Sequence, residues 1–428
     1  METLLMLALL FIILMLLGVP IAYALGIASI SYIVTNPAMP VEIISHRMSN
    51  SLGSFVLLAL PAFLLSGRMM NSSGVTDRLF RFAVALVGRI PGGIAHANAL
   101  ASMLFASMSG SSVGDAGGLG QIEIEMMKKA KYKIDFAAGL TAASSVIGPV
   151  IPPSVAMVIF GATTQISIGR LFIGGIIPGV LLGISVMVYI YIRAIYTEEG
   201  RNWPITRLGL KEVKDSFLGA FFSLLTPVII IGGIILGIVT PTEAAILAIN
   251  YAIVLGIAYR QLSLKKFWET LQSVVEMTGI FMFIFAVAGF FSWLLTIGGL
   301  PQLIVSSITG ITDSPIGILF IISALMLVVG AFLDTTAAIL LVSPIVLPVV
   351  YAAEIHPVQF GLVFIVSLVI GIITPPFGIC NFVMSDVAQI SVERVTKESI
   401  KYLIPYVVVL VLIIVFPQLT AYISDLAF

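Results

Sequence analysis

Apolar runs and short polar interruptions alternate along nearly the whole chain. Residues 3–17 and 21–34 are apolar and flank a Gly18-Val19-Pro20 break. Polar residues 35–54 follow, then an apolar run at 55–70 with Arg68 near its end. Residues 75–89 place Arg78, Arg81 and Arg89 among Leu79, Phe82, Ala83, Leu86 and Val87. That spacing of three to four predicts an amphipathic helix at the membrane interface. Residues 94–127 are apolar at both ends but read SMSGSSVGDAGG at 107–118. So polar a centre excludes one continuous span and predicts a re-entrant hairpin with a Ser/Gly tip, closed by Lys128, Lys129, Lys131 and Lys133. The next run, 136–168, is broken by GPVIPPS at 148–154, and a span is expected over 171–192.

The hydrophilic stretch 193–215 separates two halves, expected at 1–205 and 206–428. The second half repeats the order of the first. Apolar residues 217–239 and 243–259 flank a Thr240-Pro241-Thr242-Glu243 break. A span at 278–296 and a short helix at 300–308 precede a second hairpin at 315–350, whose tip is VVGAFLDTTAA at 328–338. The run 358–387 is broken by GIITPPFG at 371–378; a polar loop at 391–401 and a last span at 403–420 complete the pattern. Matching residues keep a slowly drifting offset: Pro20 and Pro241 at 221, Gly148 and Gly371 at 223, Gln165 and Gln389 at 224, Pro178 and Pro405 at 227.

Clustered prolines cannot continue a helix, because each lacks a backbone donor and its ring clashes with the preceding turn. Inside an apolar run such a break leaves amides and carbonyls that lipid cannot satisfy. It persists only when buried in protein or lining a watery cavity. Paired Pro/Gly breaks at corresponding places in two halves point to a transporter binding site. Two plain proline kinks are the alternative, and the repeat beyond the prolines argues against it.

Composition agrees with a membrane protein. Of 428 residues, 59% are hydrophobic and 10% charged, and the mean hydropathy is +1.15. Soluble domains carry about 25% charged residues. The formal net charge is zero, so nothing argues for nucleic acid. A single cysteine, Cys380, excludes an intrachain disulfide, and His46, His96 and His356 are too dispersed to suggest a metal cluster. The start lacks a basic segment and a small-residue cleavage site, so it reads as a retained span. Lys and Arg cluster at 78–89, 128–133, 193–214, 260–266 and 394–401, and none flanks the second hairpin. The positive-inside rule then makes the first hairpin cytoplasmic in origin and the second periplasmic. Each half has five crossings and one hairpin, so the halves lie inverted and both termini lie outside.

The candidate chemistry is that of a hard cation. Broken helices present exposed carbonyls for cations and amide-rich ends for anions. The tips supply Ser109, Ser112 and Asp115 in one half, and Asp334, Thr335 and Thr336 in the other. These hard oxygen ligands suit sodium, not zinc or copper. Helix capping competes: Ser112 with Asp115 fits a capping box, and Asp334 fits an N-cap. An acid within an apolar hairpin is nevertheless a functional candidate, being costly there. Glu243 reads as a cap partner of Thr240. No motif for a zinc protease, a serine hydrolase or a P-loop ATPase occurs, so transport would draw on an ion gradient or another subunit.

Several runs resemble the large membrane subunit of TRAP (tripartite ATP-independent periplasmic) transporters, the DctM type. They are ALPAFLLSGRMMNSSGVTDRLFRFAVALVGRIPGG at 59–93, ASMLFASMSGSSVGDAGGLGQIEI at 101–124, AAGLTAASSVIGPVIPPSVAMVIFGA at 137–162, GIVTPTEAA at 237–245 and GIITPPFG. The likeness covers essentially the whole chain and is nearest the sialic-acid branch. It implies an all-α polytopic fold with two inverted repeats, each holding a hairpin and a broken helix. It implies sodium-coupled import of an organic acid, a C4-dicarboxylate or a sialic acid, by an elevator motion in the bacterial inner membrane. It also implies a separate small four-helix membrane subunit and a soluble periplasmic binding protein as partners, and no organic cofactor. Two sodium sites follow from the resemblance: Ser109, Ser112, Gly148, Val150 and Pro153 for the first; Gly330, Asp334, Gly371, Thr374 and Pro376 for the second. Thr335, Thr336, Ser154 and Asn381 are the expected substrate contacts. A standalone sodium/dicarboxylate symporter of related architecture and a non-transporting channel or scaffold stay open at this point.

Overall fold

The computed structural model describes residues 2–36, 39–206 and 209–427, and every regular element among them is helical. The first half comprises α1 (Glu2–Leu16), α2 (Ile21–Thr35), α3 (Glu42–Leu52), α4 (Ala59–Ser72), α5 (Val75–Val87), α6 (Gly93–Ser109), α7 (Ser112–Gly117), α8 (Leu119–Lys129), α9 (Ile134–Ser144), α10 (Val155–Thr164) and α11 (Ile168–Tyr196). A short α12 (Glu198–Arg201) leads to α13 (Leu210–Ile235), α14 (Pro241–Ala258), α15 (Leu264–Ile297), α16 (Leu300–Thr309), α17 (Pro315–Phe332) and α18 (Thr335–Ala352). The chain ends with α19 (Pro357–Gly371), α20 (Ile379–Ala388), α21 (Val392–Ser399), α22 (Leu403–Val415) and α23 (Ala421–Ala427).

Among the described residues, α11, α13, α14, α15, α17, α18 and the continuous stretch through α21 and α22 are long and apolar enough to cross a membrane. Local chemistry sets many of their ends. Thr240 accepts from the Glu243 amide at 3.3 Å while the Glu243 carboxylate accepts from the Thr240 amide at 2.7 Å, a reciprocal cap with Pro241 at the first helical position. Gln165 and Gln389 end α10 and α20 in matching left-handed conformations.

The centre is built on α9 and α19, which are buried on all sides, as their uninterrupted apolar sequences require. The α9 helix packs on α20 and α21, and α19 packs on α10, α11, α17 and α22. Phe160 of α10 meets Phe360 and Phe364 of α19, with ring centroids 5.7 and 5.3 Å apart. The Tyr406 hydroxyl of α22 donates to the Ala143 carbonyl of α9 at 2.7 Å. Around this body run α1 to α4 and α13 to α15, with α4 along α14 and α15 along α2 and α3. Large apolar side chains on the outward faces of α13 and α14, such as Phe222, Val228, Val254 and Ile257, stay exposed, as lipid-facing residues do.

Some expectations need correction. Residues 391–401 are not a loop: 392–399 form α21, where Arg394 pairs with Asp135 and Glu398 with Arg193, the latter at 2.6 Å. The span expected at 278–296 is the second part of a longer α15. Much of the 193–215 linker is ordered, since α11 continues to Tyr196 and α13 begins at Leu210. Trp203 within it stacks on Phe136 with ring centroids 4.6 Å apart, tying this stretch to the first half. The expected amphipathic helix is α5, with Arg78 lying 3.8 Å from the Tyr259 ring centroid.

Candidate functional site

Each helix break is met by a hairpin tip. In the first half α6 stops at Gly110, which takes a left-handed φ of 61°, and the chain re-enters a helix at Ser112. Gly110 approaches the break so closely that an added Cβ would lie 2.7 Å from the Pro153 carbonyl, and its own carbonyl accepts from the Val155 amide at 3.2 Å. Only a residue without a side chain tolerates both constraints. In the second half α17 ends at Phe332 and α18 begins at Thr335. Here the legs of tip and break touch backbone to backbone: a Cβ on Gly371 would lie 2.7 Å from Gly330 C, and one on Gly330 would strike the Leu368 carbonyl.

The first site gathers Ser109, Ser112, Gly148 and Pro153 as the sequence reading proposed, and Asp115 joins them. Ser109 donates to one Asp115 carboxylate oxygen. The other oxygen, Oδ2, and the Ser112 hydroxyl are buried without a protein partner. A Cβ on Gly148 would lie 2.5 Å from that same Oδ2, so the carboxylate occupies the space glycine leaves free. The capping reading of this tip needs correction. The cap is Ser111, whose hydroxyl accepts from the Gly114 amide at 3.3 Å; Ser112 and Asp115 do not form the box. Val150 is buried in the break, its amide donating to the Ile147 carbonyl at 3.0 Å.

At the second site Asp334 is an N-cap, its carboxylate accepting from the Thr336 amide at 2.9 Å. Thr374 donates its hydroxyl to the Ile370 carbonyl at 3.0 Å, and its amide to the Gly371 carbonyl at 2.8 Å. Pro376 follows Pro375 through a cis peptide bond, as Pro153 follows Pro152. Of the expected substrate contacts, Thr335 and Thr336 line a cavity with Asp334, Ser109 and Ser112. Ser154 and Asn381 hold the breaks together instead. The Ser154 hydroxyl donates to the Pro149 carbonyl at 2.5 Å and accepts from the Met157 amide, while the Asn381 amide donates to the Ile373 carbonyl at 2.9 Å.

These donor sets fit a hard monovalent cation. Buried oxygens without partners, at Asp115, Ser112 and Asn381, are costly unless a ligand completes them. Among the described residues no group of three His, Cys, Asp or Glu side chains could hold a metal ion.

Both tips open onto one cavity of about 820 Å³ between the hairpins and α4, α5 and α15. Its wall carries Arg68, Asn71, Thr270 and Ser273, and Lys266 and Glu269 from the start of α15. Sequence reasoning noted Arg68 near the end of an apolar run but gave it no role, although a basic residue there was a signal. It also missed a buried polar network behind the first tip. Asn98 donates to Glu123 at 2.9 Å and to Thr141 at 2.7 Å, and the Ser144 hydroxyl donates to the Asn98 carbonyl oxygen at 2.9 Å. The helical spacings from 98 to 102 and from 141 to 144 placed these polar residues on shared faces.

Comparison with known proteins agrees with this geometry. Among solved structures, a transporter from Alcanivorax borkumensis, YdaH, shares the fold with a TM-score of 0.67 over 96% of this chain and 98% of that one, at 13% identity. The sialic acid TRAP transporter large permease protein SiaM of Vibrio cholerae is 41% identical over 96% of this chain and 95% of that protein. The C4-dicarboxylate TRAP transporter large permease protein DctM of Vibrio cholerae is 35% identical over 98% of this chain and 97% of that protein. Residues 8–419 match the tripartite ATP-independent periplasmic transporter, DctM component. The chain therefore belongs to the DctM family of TRAP transporter large permeases, a family of multi-pass membrane transport proteins and not of enzymes.

Proposed function

We propose that this permease couples inward sodium movement to import of an organic carboxylate. The observation that carries the reading is the pairing of each hairpin tip with a broken helix, with buried oxygens at Asp115 and Ser112 lacking protein partners beside a hydroxyl-lined cavity. Sodium would be held by Ser109, Ser112, Asp115 and the Gly148, Val150 and Pro153 carbonyls at one tip. Gly330, Asp334, Gly371, Thr374 and Pro376 would hold a second ion at the other. Binding would remove the cost of the unpaired Asp115 oxygen and Ser112 hydroxyl and so favour a closed first tip. The substrate would sit against Thr335 and Thr336, with Ser154 and Asn381 keeping the breaks in shape. The names of the relatives favour a sialic acid, with a C4-dicarboxylate second.

In this reading residues 1–205 and 206–428 are inverted repeats in a bacterial inner membrane, with both termini periplasmic. The hairpins and broken helices move as one elevator against α1 to α4 and α13 to α15. The chain works with a small membrane subunit and a periplasmic binding protein on separate polypeptides. The test is uptake of labelled N-acetylneuraminate and of succinate into liposomes under an inward sodium gradient. Uptake is expected only when the two partners are supplied and collapses when the gradient is dissipated. Robust sodium-driven uptake by the lone chain would instead make it a standalone symporter.

A further inference from the structure

We propose that Arg68 binds the substrate carboxylate from the static side of the cavity; this rests on the carboxylate-transport reading above. Arg68 lies near the end of α4 and is exposed to the cavity. Its guanidinium donates to the Ser273 hydroxyl and contacts Met277 Sδ, both on α15 and both uncharged. Among the described residues it has no carboxylate within ion-pair distance, and it has no interaction beyond those two that offsets its charge. Two other arginines are satisfied differently: Arg47 of α3 lies over the Trp293 ring at 4.3 Å and Arg78 of α5 over Tyr259 at 3.8 Å. A guanidinium without a counter-charge on the wall of a cavity is a ready partner for an arriving anion.

Position makes the anion the transported one. Gly67, the preceding residue, packs on the first tip: an added Cβ would lie 2.9 Å from the Met108 carbonyl and 3.0 Å from Ser109 Cα. Arg68 therefore sits one residue from the contact between α4 and the hairpin that carries Ser109 and Ser112. The other charges on the cavity wall are Asp77, Lys266, Glu269 and Asp334. Lys266 is held by the Gln261 carbonyl at 3.2 Å and Glu269 faces Lys265 at 3.9 Å. A carboxylate that left the tips for the open side would meet Arg68 as a planar fork able to take both oxygens. Because Arg68 belongs to α4 and not to a hairpin, it reads the substrate only when the tips face this cavity. It selects for an acid from the α4 side of the cavity, independently of sodium.

The complex is reconstituted with Arg68→Gln, Arg68→Lys and Ser273→Ala, and uptake is followed with whichever acid the wild type takes, N-acetylneuraminate or succinate. Arg68→Gln should raise the half-saturating acid concentration about tenfold or more, the value of a lost charged hydrogen bond, with the half-saturating sodium concentration unchanged. Arg68→Lys should recover part of that loss, and Ser273→Ala should change it little. The methyl ester of the acid should compete poorly in the wild type and as well as the free acid in Arg68→Gln. If Arg68→Gln keeps wild-type substrate dependence, or Ser273→Ala is as damaging as Arg68→Gln, Arg68 is a brace for α15 and the inference fails alone. If the wild type takes up neither acid under a sodium gradient, the functional reading fails and this inference with it.

Discussion

The two tip-and-break pairs occupy equivalent places in the chain, yet they are built from different materials. The first is polar: a Ser/Gly tip, a carboxylate aimed at Gly148, a cap supplied by Ser111, and the Asn98–Glu123 network behind it. The second has a tip that is apolar apart from Asp334, Thr335 and Thr336, and its close contact is glycine on glycine. Beside Gly148 the nearest neighbour is the Asp115 side chain, although Gly110 of the same tip also meets the break through main chain; beside Gly371 the nearest neighbour is the Gly330 main chain. One acid is left free of capping duty and the other is itself the cap. The same kind of break is thus met by two different tips; in the proposed reading both would supply oxygen atoms facing it.

The sharpest way to break the comparison is topological. With Cys380, which is fully buried, replaced by serine, Lys129→Cys and Ser314→Cys each place one thiol on an exposed position beside a hairpin. An impermeant maleimide applied to intact cells should label the Ser314→Cys protein and leave the Lys129→Cys protein unmodified. Equal labelling of both from outside would show that the hairpins enter from one side and that the halves are not inverted.

A second contrast is steric. Gly371→Ala drives a methyl group into the Gly330 backbone, whereas the closest contact of Gly148→Ala is the Asp115 carboxylate, with the Ser145 carbonyl 3.2 Å away. Thermal unfolding in detergent should therefore register a loss of about 1–3 kcal/mol for Gly371→Ala, as for an overpacked core, with transport abolished. Gly148→Ala should unfold closer to wild type and show its defect in the sodium titration. Equal stability losses for the two would mean that both breaks are closed by main chain.

The smallest effect separates the two acids. Asparagine caps a helix nearly as well as aspartate, so Asp334→Asn should leave the unfolding temperature almost unchanged. If the carboxylate serves sodium, the half-saturating sodium concentration should rise about tenfold or more. Asp115→Asn should raise it too, and should cost no cap, since Ser111 holds that role. An unchanged sodium curve in Asp334→Asn, with normal expression, would reduce Asp334 to a cap.

Much of this was legible along the chain because the membrane imposes strict rules on sequence. A span must be apolar over about 20 residues and a proline cluster must break it, so the runs at 136–168 and 358–387 announced both broken helices. The two tips were visible as polar or small residues inside apolar runs, and the Thr240–Glu243 cap as a local four-residue pattern. Local signals failed where a partner distant in sequence decided the outcome. Residues 391–401 read as a loop because they are charged, but those charges find Asp135 and Arg193 across the fold, and the segment forms a helix. Ser112 fitted a capping box in sequence, yet the folded tip is capped by Ser111. Gly148, 33 positions beyond Asp115, is what gives the Asp115 carboxylate its place.

The sequence by itself determined the fold class and the pair of breaks, since hydropathy, proline and glycine act on the residue that carries them and its near neighbours. Tertiary structure alone decided which oxygens face each break, that Ser154 and Asn381 brace the main chain, and that Arg68 stands without a counter-charge on a shared cavity. Those properties belong to no segment. They arise when helices far apart in the chain pack together, and burial then sets the cost of each polar group that lacks a partner.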